Sequence, residues 1–361
     1  MCYAAAHVFA AAARAPDSPT PDSPKIVRRQ MRVRFWGVRG SLPVPGRKTE
    51  RYGGNTSCVE VTSRAGTRII IDAGTGIRRL GQELMREEFE GGRGTAHLLI
   101  SHTHWDHIQG LPFFAPLYQA GNHLYVYARR RDDLHLRAVF ASQTGAPYFP
   151  TSIEEAKADI SFRELADSAR FEIGDVTVAC ARLNHPYVAT AYRLSVDGAS
   201  MAYVSDTAPF SDILFENQFI PRPPLGRMPL AEGDRVKLRE MRDGVIRLCE
   251  GADLVIYDTM FTAEDYEKFP HYGHSRPRDA LDVCRVAGAR RLVLFHHAPE
   301  RSDSEVDAIL DATRAEAQRS KLSFALDAAF EGLDLDLGPR APGDERLTRL
   351  GGGEQSAGSS A

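Results

Sequence analysis

Between residues 32 and 335 the chain alternates short apolar, β-branched runs with stretches in which apolar residues recur at helical spacing. The runs VRFWG, SCVEVT, TRIIID, HLLIS, HLYVYA, VTVACARL, TAYRLSV, SMAYVSD, DLVIYD and RLVLF predict ten strands, because short stretches rich in Val, Ile, Tyr and Phe between turn formers suit a pleated, half-buried surface. Many of them end directly on a polar or metal-binding side chain. Ile77, Leu80, Leu84 and Met85 mark one helix, and Ala280, Leu281, Cys284 and Ala287 another. A third is predicted to open at Ser302 and Glu305, a capping-box pair ahead of Val306, Ile309 and Leu310. Strand runs with helices inserted between them imply two packed sheets flanked by helices. Two segments, 141–170 and 208–245, break the rhythm with APYFP and FIPRPPLG; irregular connections of this length read as lids or dimer contacts over a compact substrate.

Composition sets limits on this picture. A chain of 361 residues, 43% hydrophobic and 26% charged, can bury a large core, and one catalytic domain over 31–338 is expected. Residues 1–30 are alanine-rich but lack the positive start of a signal peptide, and 339–361 are rich in glycine, serine and charge; both read as disordered extensions. A net charge of −3 carries no basic footprint, which disfavours nucleic acid as a partner. The five cysteines, Cys2, Cys58, Cys180, Cys249 and Cys284, are scattered without a CxxC pair, as expected of a reducing compartment, the cytoplasm. No run approaches the ~18 to 20 apolar residues of a membrane span.

The chemistry concentrates in LLISHTHWDHIQG. His102, His104, Asp106 and His107 follow a strand with the spacing H-x-H-x-D-H. On an extended exit the first two histidines point the same way, since side chains alternate with period two, and Asp106 and His107 fall on the turn beyond. Imidazole with carboxylate suits zinc and its neighbours, with manganese or iron as alternatives. Trp105, between these residues, is expected to pack beside the site.

This motif and its surroundings resemble the metallo-β-lactamase superfamily, and within it the phosphodiesterase branch that holds tRNase Z-like and cyclic-nucleotide-degrading members. The resemblance runs in chain order over residues 31 to 335 and implies an α+β fold, a four-layer αββα sandwich. It also implies a pair of divalent cations, with ligands His102, His104, Asp106, His107, His185 from NHP, Asp206 from YVSDT as the bridging carboxylate, and His296 from RLVLFHHAP. The family's alignment favours His296; the residues alone do not separate it from His297. Asp72 in IDAGTG would support the metal site from behind. The loop YGGNTSC would bring Asn55, Thr56 and Ser57 beside the metals, where backbone N–H groups can meet phosphate oxygens.

Two further residues match the tRNase Z-like branch, whose members carry an acid–histidine pair thought to protonate the leaving oxygen: Asp258 in DLVIYDTMF and His274 in HYGHSRP. The chain departs from that pattern in having Asp where glutamate is usual and Tyr257 where a histidine precedes it. The expected function is a binuclear metal hydrolase, with Asp106, His274 and Asp258 as catalytic residues. Its expected substrate is a small phosphodiester such as a 3′,5′-cyclic nucleotide, attacked by hydroxide held between the metals. Alternatives are a thioester or lactone hydrolase, a tRNA 3′-processing nuclease, for which no basic glycine-rich arm is visible, and a non-catalytic metal sensor. A homodimer is also allowed.

Overall fold

The computed structural model describes residues 30–147, 149–211, 213–215 and 230–338. The expected tails at 1–30 and 339–361 lie outside these residues, Gln30 excepted. Among the described residues there are fourteen strands: β1 (Met31–Gly37), β2 (Cys58–Ser63), β3 (Arg68–Ile71), β4 (Thr95–Leu99), β5 (His123–Arg129), β6 (Asp159–Leu165), β7 (Arg170–Ile173), β8 (Val176–Arg182), β9 (Thr190–Val196), β10 (Ala199–Val204), β11 (Leu254–Asp258), β12 (Arg291–Phe295), β13 (Ala325–Ala328) and β14 (Asp334–Leu337). The helices are α1 (Ile77–Leu84), α2 (Trp105–Ile108), α3 (Leu136–Gln143), α4 (Glu232–Cys249), α5 (Ala263–Lys268), α6 (Pro277–Ala287) and α7 (Asp303–Arg319). One sheet has the order β14-β1-β2-β3-β4-β5-β6 and the other β13-β12-β11-β10-β9-β8-β7.

Strand alternation explains why two sheets stack with helices outside. Met31, Val33 and Phe35 of β1, Ile69 and Ile71 of β3, Met201 and Tyr203 of β10, and Val293 and Phe295 of β12 all point into one cluster between the sheets. The intervening residues face outward: Ile70 meets Ile77, Leu80 and Leu84 of α1, whereas Ala202, Val255 and Leu292 meet α4, α6 and α7. Three apolar interfaces therefore separate four layers, the αββα sandwich expected.

Both irregular segments are more ordered than expected. Residues 141–170 contain all of β6, whose sequence DISFREL alternates as a strand should and pairs in parallel with β5. Within 208–245, α4 begins at Glu232; Leu238, Met241, Val245 and Leu248 recur on one helical face and are buried, while charged residues fill the rest. The reading as lids therefore fails for these parts: dense charge around a narrow apolar stripe masked the helix, and an edge strand lacks the apolar richness of a central one. The FIPRPPLG motif lies outside the described residues. No described helix is long and apolar enough to cross a membrane.

Strand direction positions the site. β3 and β4 run parallel, and so do β10, β11 and β12; β8 is antiparallel to β9, which is antiparallel to β10, so β8 shares their direction. The C-terminal exits of β3, β4, β8, β10, β11 and β12 carry Asp72, the 102–107 loop, His185, Asp206, Asp258 and His296. Across the sandwich, the Thr190 amide bonds the Ser101 carbonyl at 2.9 Å and the Tyr203 hydroxyl bonds Asp72 at 2.8 Å, which brings the two groups of exits to one rim.

Candidate metal centre

Three overlapping groups of potential ligands meet at this rim. His102, His104, His185 and Asp206 form one, Asp106, His107, Asp206 and His296 a second, and Asp206, Asp258, His274 and His296 a third, with the donor atoms of each within 4.8 Å of one another. All are buried except the half-buried His104. Every residue expected as a ligand, with the expected acid–histidine pair, is thus in one place, and Asp206 belongs to all three groups.

The hydrogen bonds behind the histidines fix which ring nitrogens face inward. The Gly273 carbonyl can only accept, so His185 donates to it from Nδ1 at 2.8 Å. The one hydroxyl proton of Ser101 goes to Asp72 at 2.9 Å, so Ser101 Oγ accepts from His102 Nδ1 at 3.1 Å. Both rings then turn Nε2 inward, towards His104 Nδ1 at 3.0 and 3.2 Å. Lone pairs converging in this way, with Asp206 Oδ2 3.6 Å from His102 and 3.8 Å from His185, form a three-nitrogen, one-oxygen donor set suited to a cation such as zinc. In the second group His107 donates Nδ1–H to Asp72 at 2.8 Å, while its buried Nε2 has no hydrogen-bond partner and stands 3.3 Å from Asp106 and from Asp206. His296 Nε2 faces Asp106 at 3.0 Å and Asp206 at 3.3 Å. A carboxylate behind a histidine is the usual device for fixing a ligand's tautomer.

The electrostatics divide along the same line. Burial, then the neighbouring imidazole of His107, hold His102 well below the ordinary histidine range; burial does the same to His185, and both rings are neutral. At His296 burial opposes charge, yet Asp206, Asp106 and Asp258 outweigh it and raise the ring to about 9. His107 is likewise lifted well above its usual range against burial by Asp106 and Asp206. The carboxylates thus favour positive charge here, and a cation held by these residues would compete with the protons on His107 and His296.

Backbone strain collects around the centre. Of the eight described non-glycine residues with left-handed backbone, Ser41, Asp72, Tyr187, Val188 and His296 border it. Such conformations cost on the order of 1 kcal/mol or more and persist where surrounding structure enforces them. His297 turns away from these groups: its Nε2 donates to the Ala329 carbonyl at 2.8 Å, whereas His296 Nε2 faces Asp106 and Asp206.

The acid–histidine pair is built as tightly. Asp258 Oδ2 accepts from His274 Nδ1 at 3.1 Å, the Thr207 amide at 3.1 Å and the Ser275 amide at 3.3 Å, and Oδ1 accepts from the Met260 amide at 3.0 Å. The cap of α6 is Arg276, whose amide bonds Asp279 at 3.0 Å, so His274 is not a helix cap.

Two expectations need correction. Trp105 is 63% exposed, because the single turn of α2 buries Asp106, His107 and Ile108 and leaves its first residue outward. The Asn55 and Thr56 amides do not face the centre as phosphate donors: Glu331 takes the first at 2.7 Å and the Thr75 hydroxyl the second at 2.9 Å. Thr56 and the buried Ser57 belong to a buttress instead, in which Thr56 Oγ1 and the Ser57 carbonyl accept from the Thr75 and Gly74 amides behind the 102–107 loop.

Comparison with known proteins agrees with this architecture. A family model described as "Beta-lactamase superfamily domain" matches residues 67–218. The Bacillus subtilis metallo-β-lactamase fold protein YhfI superposes with a TM-score of 0.58 at 18% identity over 86% of this chain and 100% of its own. The chain has the metallo-β-lactamase fold. The chain also superposes on yeast PDE1, with a TM-score of 0.58 at 15% identity over 86% of its own length and 100% of that structure. In sequence it is 26% identical to Ribonuclease Z of Natronomonas pharaonis over 283 residues, 74% of this chain and 86% of the relative.

Several supporting residues were not singled out in the sequence. The Ser41 amide bonds Asp106 at 2.8 Å, and the loop before it is glycine by necessity, since a Cβ at Gly40 would lie 2.5 Å from the His296 ring. Ser101, Ser205 and Tyr203 form a hydroxyl network on and behind Asp72. The signal for Tyr203 was present, a tyrosine one strand period before Ser205 on an otherwise apolar, inward-facing row. Asp72→Asn places an amide against donors from Ser101, His107 and Tyr203, and should weaken metal affinity or activity by ~10- to 100-fold. Titration with a buffered zinc series measures this, and an unchanged affinity would remove Asp72 from its supporting role.

Proposed function

We propose that this chain is a binuclear metal-dependent phosphodiesterase. His102, His104 and His185 would hold one cation and Asp106, His107 and His296 the other, with Asp206 within reach of both. When bound, such ions supply Lewis acidity towards phosphoryl oxygens and an activated water nucleophile at neutral pH. Zinc fits the donor set, with manganese or iron as alternatives.

The observation that carries the phosphodiester reading is the Asp258–His274 pair, which shares a ligand group with Asp206 and His296. His274 Nδ1 is engaged by Asp258, leaving Nε2 to deliver a proton. An alkoxide is a poor leaving group and gains from a positioned acid, typically ~10²- to 10⁴-fold. A thiolate or carboxylate leaves with little such help, so a thioester or lactone hydrolase gives the pair no task. A small phosphodiester remains the first choice, a 3′,5′-cyclic nucleotide being the leading example, in keeping with the net charge of −3. The second reading, a tRNA 3′-processing nuclease, is favoured by the name Ribonuclease Z of the curated relative. Catalysis is assigned to the cytoplasm.

Metal-analysed protein should hydrolyse bis(p-nitrophenyl) phosphate and at least one cyclic nucleotide, and leave a thioester and a lactone untouched. Cleavage of a precursor tRNA in place of cyclic nucleotides would transfer the conclusion to the second reading. Turnover of the acyl substrates alone would overturn both.

A further inference from the structure

The segment between α5 and His274 exposes two large aromatic rings beside the proposed acid. Phe269 and Tyr272 stack with centroids 5.4 Å apart and planes 18° apart, yet they stay 40% and 52% exposed. The backbone beneath them is fixed: the Phe269 amide bonds the Asp265 carbonyl at 2.8 Å and the Tyr272 amide the Phe269 carbonyl at 3.0 Å. Gly273 then turns with φ +83, where a Cβ would meet the His185 ring at 2.6 Å, and its carbonyl holds His185. Rings also connect the pair to the chemistry, since buried Phe261 lies 6.5 Å from Tyr272 and 5.2 Å from His274, edge-on to the latter.

Large stacked rings exposed to water beside a site are more informative than scattered surface residues. Resting on the phosphodiesterase reading, we propose that the Tyr272–Phe269 pair is a stacking platform for a nucleobase carried by the leaving group. His274 gives its proton to the leaving oxygen, so the body of that group lies on this side of the centre. A flat π-face is what a second flat ring recognises, largely independent of base identity.

The test compares 3′,5′-cyclic AMP with the methyl riboside 3′,5′-cyclic phosphate, which has the same phosphodiester and no base, using the metal-loaded full chain. The wild type should prefer the base-bearing substrate by on the order of 10- to 100-fold in kcat/KM, expressed mainly in KM. Tyr272→Ala should lose this preference while turning over the base-free substrate at the wild-type rate, and Tyr272→Phe should keep it. Equal kcat/KM for the two substrates in the wild type would overturn the platform and leave the phosphodiesterase reading standing. A preference that survives Tyr272→Ala but is lost in Trp105→Ala, or an equal loss on both substrates through disturbance of Gly273 and His185, would also overturn it. Hydrolysis of neither substrate would remove the small-phosphodiester reading and the platform with it.

Discussion

Asp206→Ala should reduce the bound metal from two ions to one or none and lower turnover on the order of 10³-fold or more, since the Lewis acidity lost is worth several kcal/mol. The reason is topological. Asp206 carboxylate oxygens stand 3.6 Å from His102, 3.8 Å from His185, and 3.3 Å from both His107 and His296. It is the one residue present in all three ligand groups of the described residues, whereas Asp106 occurs in a single group. Asp106→Ala should therefore release one ion and retain the other, giving a graded pair of variants. Metal analysis after gel filtration, with circular dichroism to monitor the fold, reads both. Two retained ions and full activity in Asp206→Ala would end the bridging assignment. The same carboxylate is held well below the ordinary range against burial by His296, His107 and His102, so it remains charged throughout the neutral region.

His102, His104, Asp106 and His107 stand out in the residues themselves because they crowd one strand exit, whereas His185, Asp206 and His296 come from the resemblance to the metallo-β-lactamase superfamily. A β-branched run ending on His, Asp or an NHP triplet is a local pattern, and β3, β4, β8, β10, β11 and β12 each supply one. The four-layer fold was legible for the same reason: Ile69, Ile70 and Ile71 look like a featureless apolar run, which is what a strand buried on both faces requires. His296 and His297 could not be separated, since adjacent residues at a strand exit share composition. What distinguishes them is the Ala329 carbonyl, 32 residues away, which holds His297 outside the cluster.

What stayed hidden depends on partners distant in sequence. The loop at Asn55 carries glycines that suit a phosphate cradle as well as a turn, and only the approach of Glu331 shows that the Asn55 amide is spent. Trp105 has the composition of a core residue, and its exposure follows from the phase of one short helical turn. The helix α4 was lost because tertiary packing against β8, β9 and β10, rather than propensity, selects its apolar stripe. The strained backbones at Asp72, His296 and Val188 have no sequence signal beyond their neighbours. They become visible once the exits from both sheets converge.

His274→Ala should leave both metals bound and slow the natural substrate by ~10²- to 10⁴-fold, while an activated aryl phosphodiester loses far less. The metal-facing part of the prediction rests on distance: His274 Nδ1 is 3.9 Å from Asp206 but 3.1 Å from Asp258, so its near partner is a carboxylate outside the proposed seven-ligand set. The leaving-group part rests on chemistry. A nitrophenolate departs without a proton, whereas a ribose alkoxide needs one, so the ratio of the two rates isolates proton delivery from binding. Asp258→Asn separates orientation from charge. Three backbone amides would still meet the side chain at that position, but one of them would face a donor, and the imidazole would lose its anionic partner. Its defect should be in the same direction as that of His274→Ala and smaller, and the double variant should be no slower than His274→Ala alone, because residues acting as a unit are not additive. An equal loss on the aryl and alkyl substrates would assign His274 to holding the centre together. Independent, multiplicative losses for the two single variants would separate Asp258 from His274.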